Sequence, residues 1–171
     1  MKIVSLRYFN PVGAHESGLI GELPINKPNN ILPVICNSAE TGEEMIVFGG
    51  DYDTRDGSCI RDYVHVSDIA EAHVKAFEYL ISDESKSYDV YNLGLGIGNR
   101  FEQNGLTVLE VIKAFEKVND VKVNYKIGLR REGDVAEIYS NSTKARKIGW
   151  KPTRTVDDMV SSAWKWHKNK I

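Results

Sequence analysis

Three times along the chain a helix-opening signal is followed by an apolar stripe at helical spacing, with β-prone runs in between, and this alternation most limits the folds open to the sequence. Asp68 with Glu71, Thr107 with Glu110 and Thr155 with Asp158 each place a capping oxygen three residues ahead of a carboxylate. At that spacing the two side chains can satisfy N–H groups that a helix's first turn leaves free. The stripes that follow are Ile69, Ala72, Ala76, Phe77 and Leu80, then Val108, Val111, Ile112 and Phe115, then Val156, Met159, Val160, Ala163 and His167. A further helix is expected over residues 31–39, opened by Asn30, tolerating Pro33 in its first turn and closed by Gly42. Strands are expected at residues 3–8, 45–48, 60–64 and 90–93, and where Val121, Val123 and Tyr125 alternate. Strands interleaved with capped helices define an α/β class.

The chain has 171 residues, 42% hydrophobic and 27% charged, enough for one compact domain with a core of its own. Its formal net charge of −2 gives no basic field that would draw nucleic acid. Cys36 and Cys59 are too few for a disulfide framework and lack CxxC spacing, so reduced, buried thiols and a cytoplasmic location are expected. No apolar run is long enough for a membrane span, and Arg7 interrupts the opening residues too early for a signal peptide. His15, His65, His73 and His167 lie far apart, without metal-ligand spacing, and read as local structural residues. Trp164 and Trp166 have no basic stripe beside them and read as helix packing.

Residues 11–30 form a Gly-, Pro- and Asn-rich loop of a length usually tied to function. In the strand around Arg61, Tyr63 and His65, alternation would project all three from one face, where Arg61 either lines a cleft or is an ordinary surface arginine. Arg130-Arg131-Glu132-Gly133-Asp134 sets guanidinium forks, suited to phosphate oxygens, beside carboxylates, and reads either as an anion site or as a solvated turn. Gly94-Leu95-Gly96-Ile97-Gly98 follows a strand but lacks the third glycine of a dinucleotide fingerprint, since Asn99 and Phe101 stand there; it reads as a turn. No tyrosine has a lysine four residues on, the pairing that holds down a tyrosine pKa for proton transfer, so no catalytic base is visible.

Residues 6–15, Val47-Phe48-Gly49 with the loop to Arg61-Asp62-Tyr63, Tyr91-Asn92-Leu93-Gly94 and residues 130–134 stand in an order and spacing similar to UDP-glucose 4-epimerase. The chain resembles the carboxy-terminal half of that extended short-chain dehydrogenase/reductase family, from about Met1 to the last helix, interrupted by an insertion at residues 99–105. The loop at residues 51–60 and the run Asn10-Pro11-Val12-Gly13-Ala14-His15 set it apart from related dehydratases and decarboxylases.

The resemblance implies the last strands of a Rossmann-type sheet plus the small substrate-binding domain. It implies UDP-glucose and UDP-galactose as substrates and NAD as cofactor. NAD in that family takes a hydride from sugar C4 and returns it after the 4-keto intermediate has turned over. Position by position, Asn10, Arg61 and Arg131 are implied as diphosphate contacts, helped by the helix start at Asn30. Phe48 is implied against uracil, Asp134 at the ribose hydroxyls and Tyr63 as a further substrate contact. Tyr8 and Pro11 are implied on the cofactor side, and Ile138 at the position that gates N-acetylated sugars. No catalytic residue and no metal ligand is implied within the chain.

The family's glycine-rich phosphate loop, catalytic Tyr and Lys, and subunit-pairing helices all belong ahead of the resembling part. Residues 1–171 are therefore expected to be a UDP-sugar-binding half without the dinucleotide-binding part, inactive alone and active with a separate amino-terminal half. The family's homodimer is not implied for this chain. The alternatives are a non-catalytic UDP-sugar-binding or regulatory module, a remnant that does not fold stably, and another NAD-dependent nucleotide-sugar epimerase or dehydratase.

Overall fold

Chain order in the computed structural model, which describes residues 1–82, 88–96 and 105–170, alternates strands and helices as the sequence pattern requires. The elements are β1 (Ile3–Tyr8), β2 (Asn10–Val12), α1 (Ile31–Thr41), β3 (Met45–Phe48), β4 (Ile60–Arg61), β5 (Tyr63–His65), α2 (Val66–Ser82), β6 (Tyr88–Leu93), β7 (Leu106–Thr107), α3 (Val108–Asn119), β8 (Tyr125–Gly128), β9 (Glu137–Ile138), a 3-10 helix (Thr143–Ile148) and α4 (Val156–Asn169). β1 pairs with β6, β2 with β5 and β3 with β8, all parallel, while β4 lies between antiparallel β7 and parallel β9. Parallel neighbours need crossovers of helix length, which is the work of the intervening helices. β1 and β2 form one run that changes partner at Phe9: the Phe9 N–H donates to the Leu93 carbonyl at 3.1 Å and the Asn10 N–H to the Asp62 carbonyl at 3.0 Å.

Two apolar clusters hold these layers together. The larger packs Ile35, Val47, Ile112, Phe115, Met159 and Val160 between α1, α3, α4 and β3, and the smaller packs Val64, Ala72, Tyr91, Leu93 and Trp150 under α2. The Thr107–Glu110 and Thr155–Asp158 capping boxes are both formed, opening α3 and α4. Trp164 meets the Phe115 ring edge-on at 5.5 Å, and the Trp166 indole donates to the Glu22 carbonyl at 2.9 Å, tying α4 to the loop of residues 11–30.

Three expectations change. The strand over residues 60–64 is broken at Asp62, whose fully buried carboxylate turns inward and accepts the N–H groups of Leu95, Gly96 and Ser140 at 2.7, 3.2 and 2.9 Å. Gly94 is required there, because a Cβ would lie 2.2 Å from Asp62 Oδ2. Residues 94–96 are thus a turn wrapped on a carboxylate, while Ile97 and Gly98, like most of the insertion at 99–105, lie outside the described residues. Second, α2 starts at Val66, so Asp68 caps nothing; it is fully buried and accepts the Thr153 hydroxyl at 3.0 Å and the backbone N–H groups of Thr153 and Arg154, both at 3.2 Å. Phe77, expected on the buried stripe, is 63% exposed because Ile69, Ala72 and Ala76 define a narrower face. Third, residues 121–124 are not a strand. The Val121 and Val123 N–H groups donate to the Glu116 carbonyl and carboxylate, so the backbone binds the end of α3 and β8 begins at Tyr125.

Cys36 and Cys59 are free and buried, and burial pushes the Cys36 thiol up to about 12. His65 is buried against α4. Its Nε2 shares a hydrogen bond of 3.1 Å with Ser162 Oγ, its Nδ1 accepts the Ser67 N–H, and a Cβ on Gly13 would lie 2.7 Å from its ring. Burial, reinforced by Arg154, holds its pKa below the ordinary histidine value, against the pull of Asp68, Asp158 and Glu71. The unfolded chain therefore binds the proton more readily, so this contribution to stability is complete above about pH 6.5 and is lost as pH falls below it. His167, whose pKa burial also lowers, acts in the same direction. Thermal unfolding is expected to shift to lower temperature between about pH 7.5 and about pH 5.5, and His65→Gln to flatten that dependence. A melting temperature independent of pH across this window would contradict the assignment.

Candidate functional site

Four of the candidate residues, Phe48, Arg61, Arg131 and Asp134, meet at the ends of β3, β4 and β8 and just ahead of β9. Phe48 faces Gly128 in the β3–β8 register, so the chain leaving β8 passes over its ring, with the Arg131 guanidinium carbon 5.3 Å from the ring centroid. Gly133, at φ 83°, lets the segment fold back, and the Asp134 N–H donates to the Arg131 carbonyl at 3.2 Å. The Asp134 carboxylate accepts Arg131 Nε at 3.2 Å and one Nη at 3.3 Å, and it also accepts Arg61 Nη2 at 3.3 Å. Arg61 Nη1 donates to the carbonyls of Ile60 and Val135, each at 2.9 Å, which fixes the plane of the fork. Ile138 is the register partner of Arg61 across β4 and β9.

The two arginines differ in setting. The Arg61 and Asp134 side chains are 14% and 16% exposed, whereas that of Arg131 is 58% exposed. Arg61 is a built-in donor with Nε and one Nη2 hydrogen unused among the described residues. Arg131 presents an open guanidinium edge to solvent. Two cations share one carboxylate, so guanidinium donors remain for a further anion, and the 43%-exposed Phe48 ring beside them offers a flat apolar surface. Such a group suits a ligand that is anionic at one place and planar at another.

The other candidates stand at separate places in the fold. Asn10 lies opposite Tyr63 in the β2–β5 register, next to the break at Asp62. Tyr63 is 3% exposed and belongs to the larger core, with burial holding its hydroxyl above the ordinary tyrosine range. The break at Asp62 and the burial of Tyr63 and His65 replace the single open face that strand alternation suggested for Arg61, Tyr63 and His65. Tyr8 is 48% exposed, at the end of β1, its ring 6.2 Å from that of His73. Asn30 precedes α1 but makes no side-chain cap; its amide donates to Glu22 at 2.7 Å, and Pro33, at the third helical position, has no N–H to offer. Asn30 and Pro11 line a cleft of about 140 Å³ together with Leu23, Pro24, Trp166 and His167. That cleft contains none of Phe48, Arg61, Arg131 and Asp134, and its own charged lining is Glu22 and Lys170.

The loop of residues 51–60 carries contacts that the sequence does not advertise. Arg130 donates to the Asp51 carboxylate and carbonyl at 2.7 and 2.6 Å and lies 4.3 Å over the ring of Tyr52, which is 6% exposed. Asp56 accepts the Thr107 hydroxyl at 2.5 Å and the Ser58 N–H at 3.0 Å, and Arg55 pairs with Glu110. The signal available was a loop holding both charges and an aromatic between Gly49 and Gly57, opposite an unexplained second arginine. Among the described residues no three His, Cys, Asp or Glu side chains gather as a metal ion would require, and no helix is long and apolar enough to cross a membrane.

A sequence model of the GDP-mannose 4,6 dehydratase family matches residues 1–163. The chain belongs to that family. The individual relatives bear a different name from the model. UDP-glucose 4-epimerase of Drosophila melanogaster is 46% identical over 166 residues, which are 96% of this chain and 45% of that protein. The structure of UDP-glucose-4-epimerase from Stenotrophomonas maltophila, with bound NAD and formylated UDP-arabinopyranose, superimposes with a TM-score of 0.89 at 45% identity, covering 98% of this chain and 48% of the other. UDP-glucose 4-epimerase from Bifidobacterium longum, in complex with NAD+ and UDP, gives 0.88 at 47% identity, covering 98% and 48%. The GDP-mannose 4,6 dehydratase family member described here thus spans about half the length of the epimerases it matches, and it shares the α/β fold of the part it covers. In this chain the glycines after β6 close on the Asp62 carboxylate, a group that repels a dinucleotide's pyrophosphate, so residues 94–96 do not fit that part of NAD.

Proposed function

We propose that this chain holds the UDP-sugar for a UDP-glucose 4-epimerase reaction interconverting UDP-galactose and UDP-glucose. The observation that carries this reading is the convergence of Arg61 and Arg131 on Asp134 beside the exposed Phe48 ring. Arg61 supplies a pre-aimed donor and Arg131 a solvent-exposed one to the diphosphate, and Asn10 and, from its separate cleft, the start of α1 at Asn30 are further diphosphate contacts. Phe48 takes the uracil face and Asp134 the ribose hydroxyls. Tyr63 backs the sugar side from the core, Ile138 stands at the sugar gate, and Tyr8 and Pro11 border the cofactor. NAD, when bound, supplies the hydride acceptor. Residues 94–96 do not form its phosphate site, so turnover requires a dinucleotide-binding segment, and residues 1–171 tested as such bind the nucleotide without epimerising it.

Calorimetric titration of the chain with UDP tests this. Binding in the micromolar range is expected, with Arg131→Ala weakening it at least tenfold, about 1.4 kcal/mol or more for a truncated charged contact. Absence of UDP binding, or an Arg131→Ala variant that binds as well as the parent, would sink the reading. Adding a separately produced dinucleotide-binding half of an epimerase, with NAD, is expected to give conversion of UDP-galactose to UDP-glucose; a folded mixture that stays inactive counts against the catalytic part alone.

A further inference from the structure

Arg130 and Arg131 are adjacent, yet their side chains part company: Arg131 goes over Phe48 to Asp134, while Arg130 goes over Tyr52 to Asp51. We propose that Arg130, Tyr52 and Asp51 form a positioning clamp that sets the direction of Arg131, a role that rests on the UDP-binding reading above. The Arg130 fork is held at three points, by the Asp51 carboxylate, the Asp51 carbonyl and the face of the Tyr52 ring. An exposed ion pair alone is worth little, and the Arg130 and Asp51 side chains are 50% and 74% exposed. Here the pair is backed by a buried aromatic platform, and cation–π attraction adds to it.

Tyr52 is itself locked. Its N–H donates to the Gly57 carbonyl at 3.0 Å. Its ring fills the space a side chain at position 49 would need, since a Cβ on Gly49 would lie 2.4 Å from Tyr52 Cε2 and 3.1 Å from Arg130 Cγ. Gly49 directly follows Phe48, so the clamp and the exposed ring share one stretch of backbone. Among the described residues the Tyr52 hydroxyl is buried with no nitrogen or oxygen partner, the Cys59 thiol being the polar group it interacts with. What Arg130 uses is the ring, which lies 4.3 Å under its guanidinium.

The charges divide accordingly. Asp51 occupies Arg130, leaving Asp134 to Arg131 and Arg61. Releasing Arg130 would put a third guanidinium in competition for Asp134 and unfasten the segment that carries both Arg131 and Asp134.

The test pairs UDP calorimetry with amide hydrogen exchange on the whole chain. Arg130→Gln is expected to weaken UDP about fivefold, the size of an ordinary coupling between neighbouring residues, and to speed exchange of the amides of residues 131–134. In an Arg131→Ala background the same change is expected to have a clearly smaller effect on affinity, because Arg130 acts chiefly through Arg131 and only secondarily through Asp134. Tyr52→Leu should reproduce Arg130→Gln, and Tyr52→Phe, which keeps the platform, should restore affinity to within about twofold of the parent. Unchanged exchange in Arg130→Gln overturns the clamp, whether or not UDP binds. Equal weakening in both Arg131 backgrounds overturns it too, while leaving the UDP-binding reading intact. A parent chain that binds no UDP removes that reading, and the exchange result still decides whether Arg130 holds the segment.

Discussion

Asp62→Ala is expected to cost about 3–5 kcal/mol, a large part of the stability of an ordinary domain, and to lower the unfolding midpoint by roughly 10 °C or more. The Asp62 carboxylate is fully buried and accepts three backbone N–H groups, from Leu95, Gly96 and Ser140. Truncation leaves these donors facing a small cavity without acceptors, and each unsatisfied buried donor costs about 1–3 kcal/mol. The loss would not stay local. The Asp62 carbonyl accepts Asn10 N–H, so one residue joins the β1–β2 run, the turn after β6 and the segment after β9. Asp62→Asn is expected to fall between parent and Ala, because it keeps one acceptor oxygen and turns an amide toward a donor. Unfolding followed by far-ultraviolet circular dichroism measures both; an Asp62→Ala midpoint within a few degrees of the parent would show that water replaces the carboxylate at little cost.

That so central a residue was silent in the sequence follows from how its partners are arranged. Thr107 and Thr155 could be read because the N–H groups they cap lie three residues away, inside the stretch that defines the motif. Asp62 acts on residues 33, 34 and 78 positions away, and nothing in Arg61-Asp62-Tyr63 distinguishes an inward carboxylate from a surface one. Asp68 misled for the related reason that a carboxylate in a helix's first turn looks like a cap, whereas its ligands come from Thr153 and Arg154, 85 and 86 positions on. The same limit applies at the site. The arginine and carboxylate types left an anion site and a solvated turn both open, and the 73-residue separation of Arg61 and Asp134 is closed only by the β4–β9 pairing. The contact of Arg130 with Asp51 and Tyr52, across 79 residues to Asp51, left no local trace at all.

Arg61→Met should produce a combination of effects that Arg131→Ala does not. Arg61 is 14% exposed and serves two functions at once. It satisfies the carbonyls of Ile60 and Val135, and it is the partly buried partner of Asp134. Replacing it by an apolar chain of similar length keeps most of the packing but leaves two carbonyls and a shielded carboxylate short of a donor, at a cost of about 2–3 kcal/mol in stability. UDP affinity should fall about a hundredfold, since the pre-aimed fork is lost and Asp134 is left to Arg131 alone. Arg131, 58% exposed, should behave otherwise: its pair with Asp134 lies at the surface, so Arg131→Ala should change stability by less than about 1 kcal/mol while still weakening UDP. Paired unfolding and UDP titrations of the two variants separate the roles. If Arg61→Met proved as stable as the parent, the Ile60 and Val135 carbonyls would have to find water. If it bound UDP undiminished, the diphosphate would have to be held by Arg131 and Asn10 without Arg61, and the site would lie further toward the start of α1 than the arginine cluster indicates.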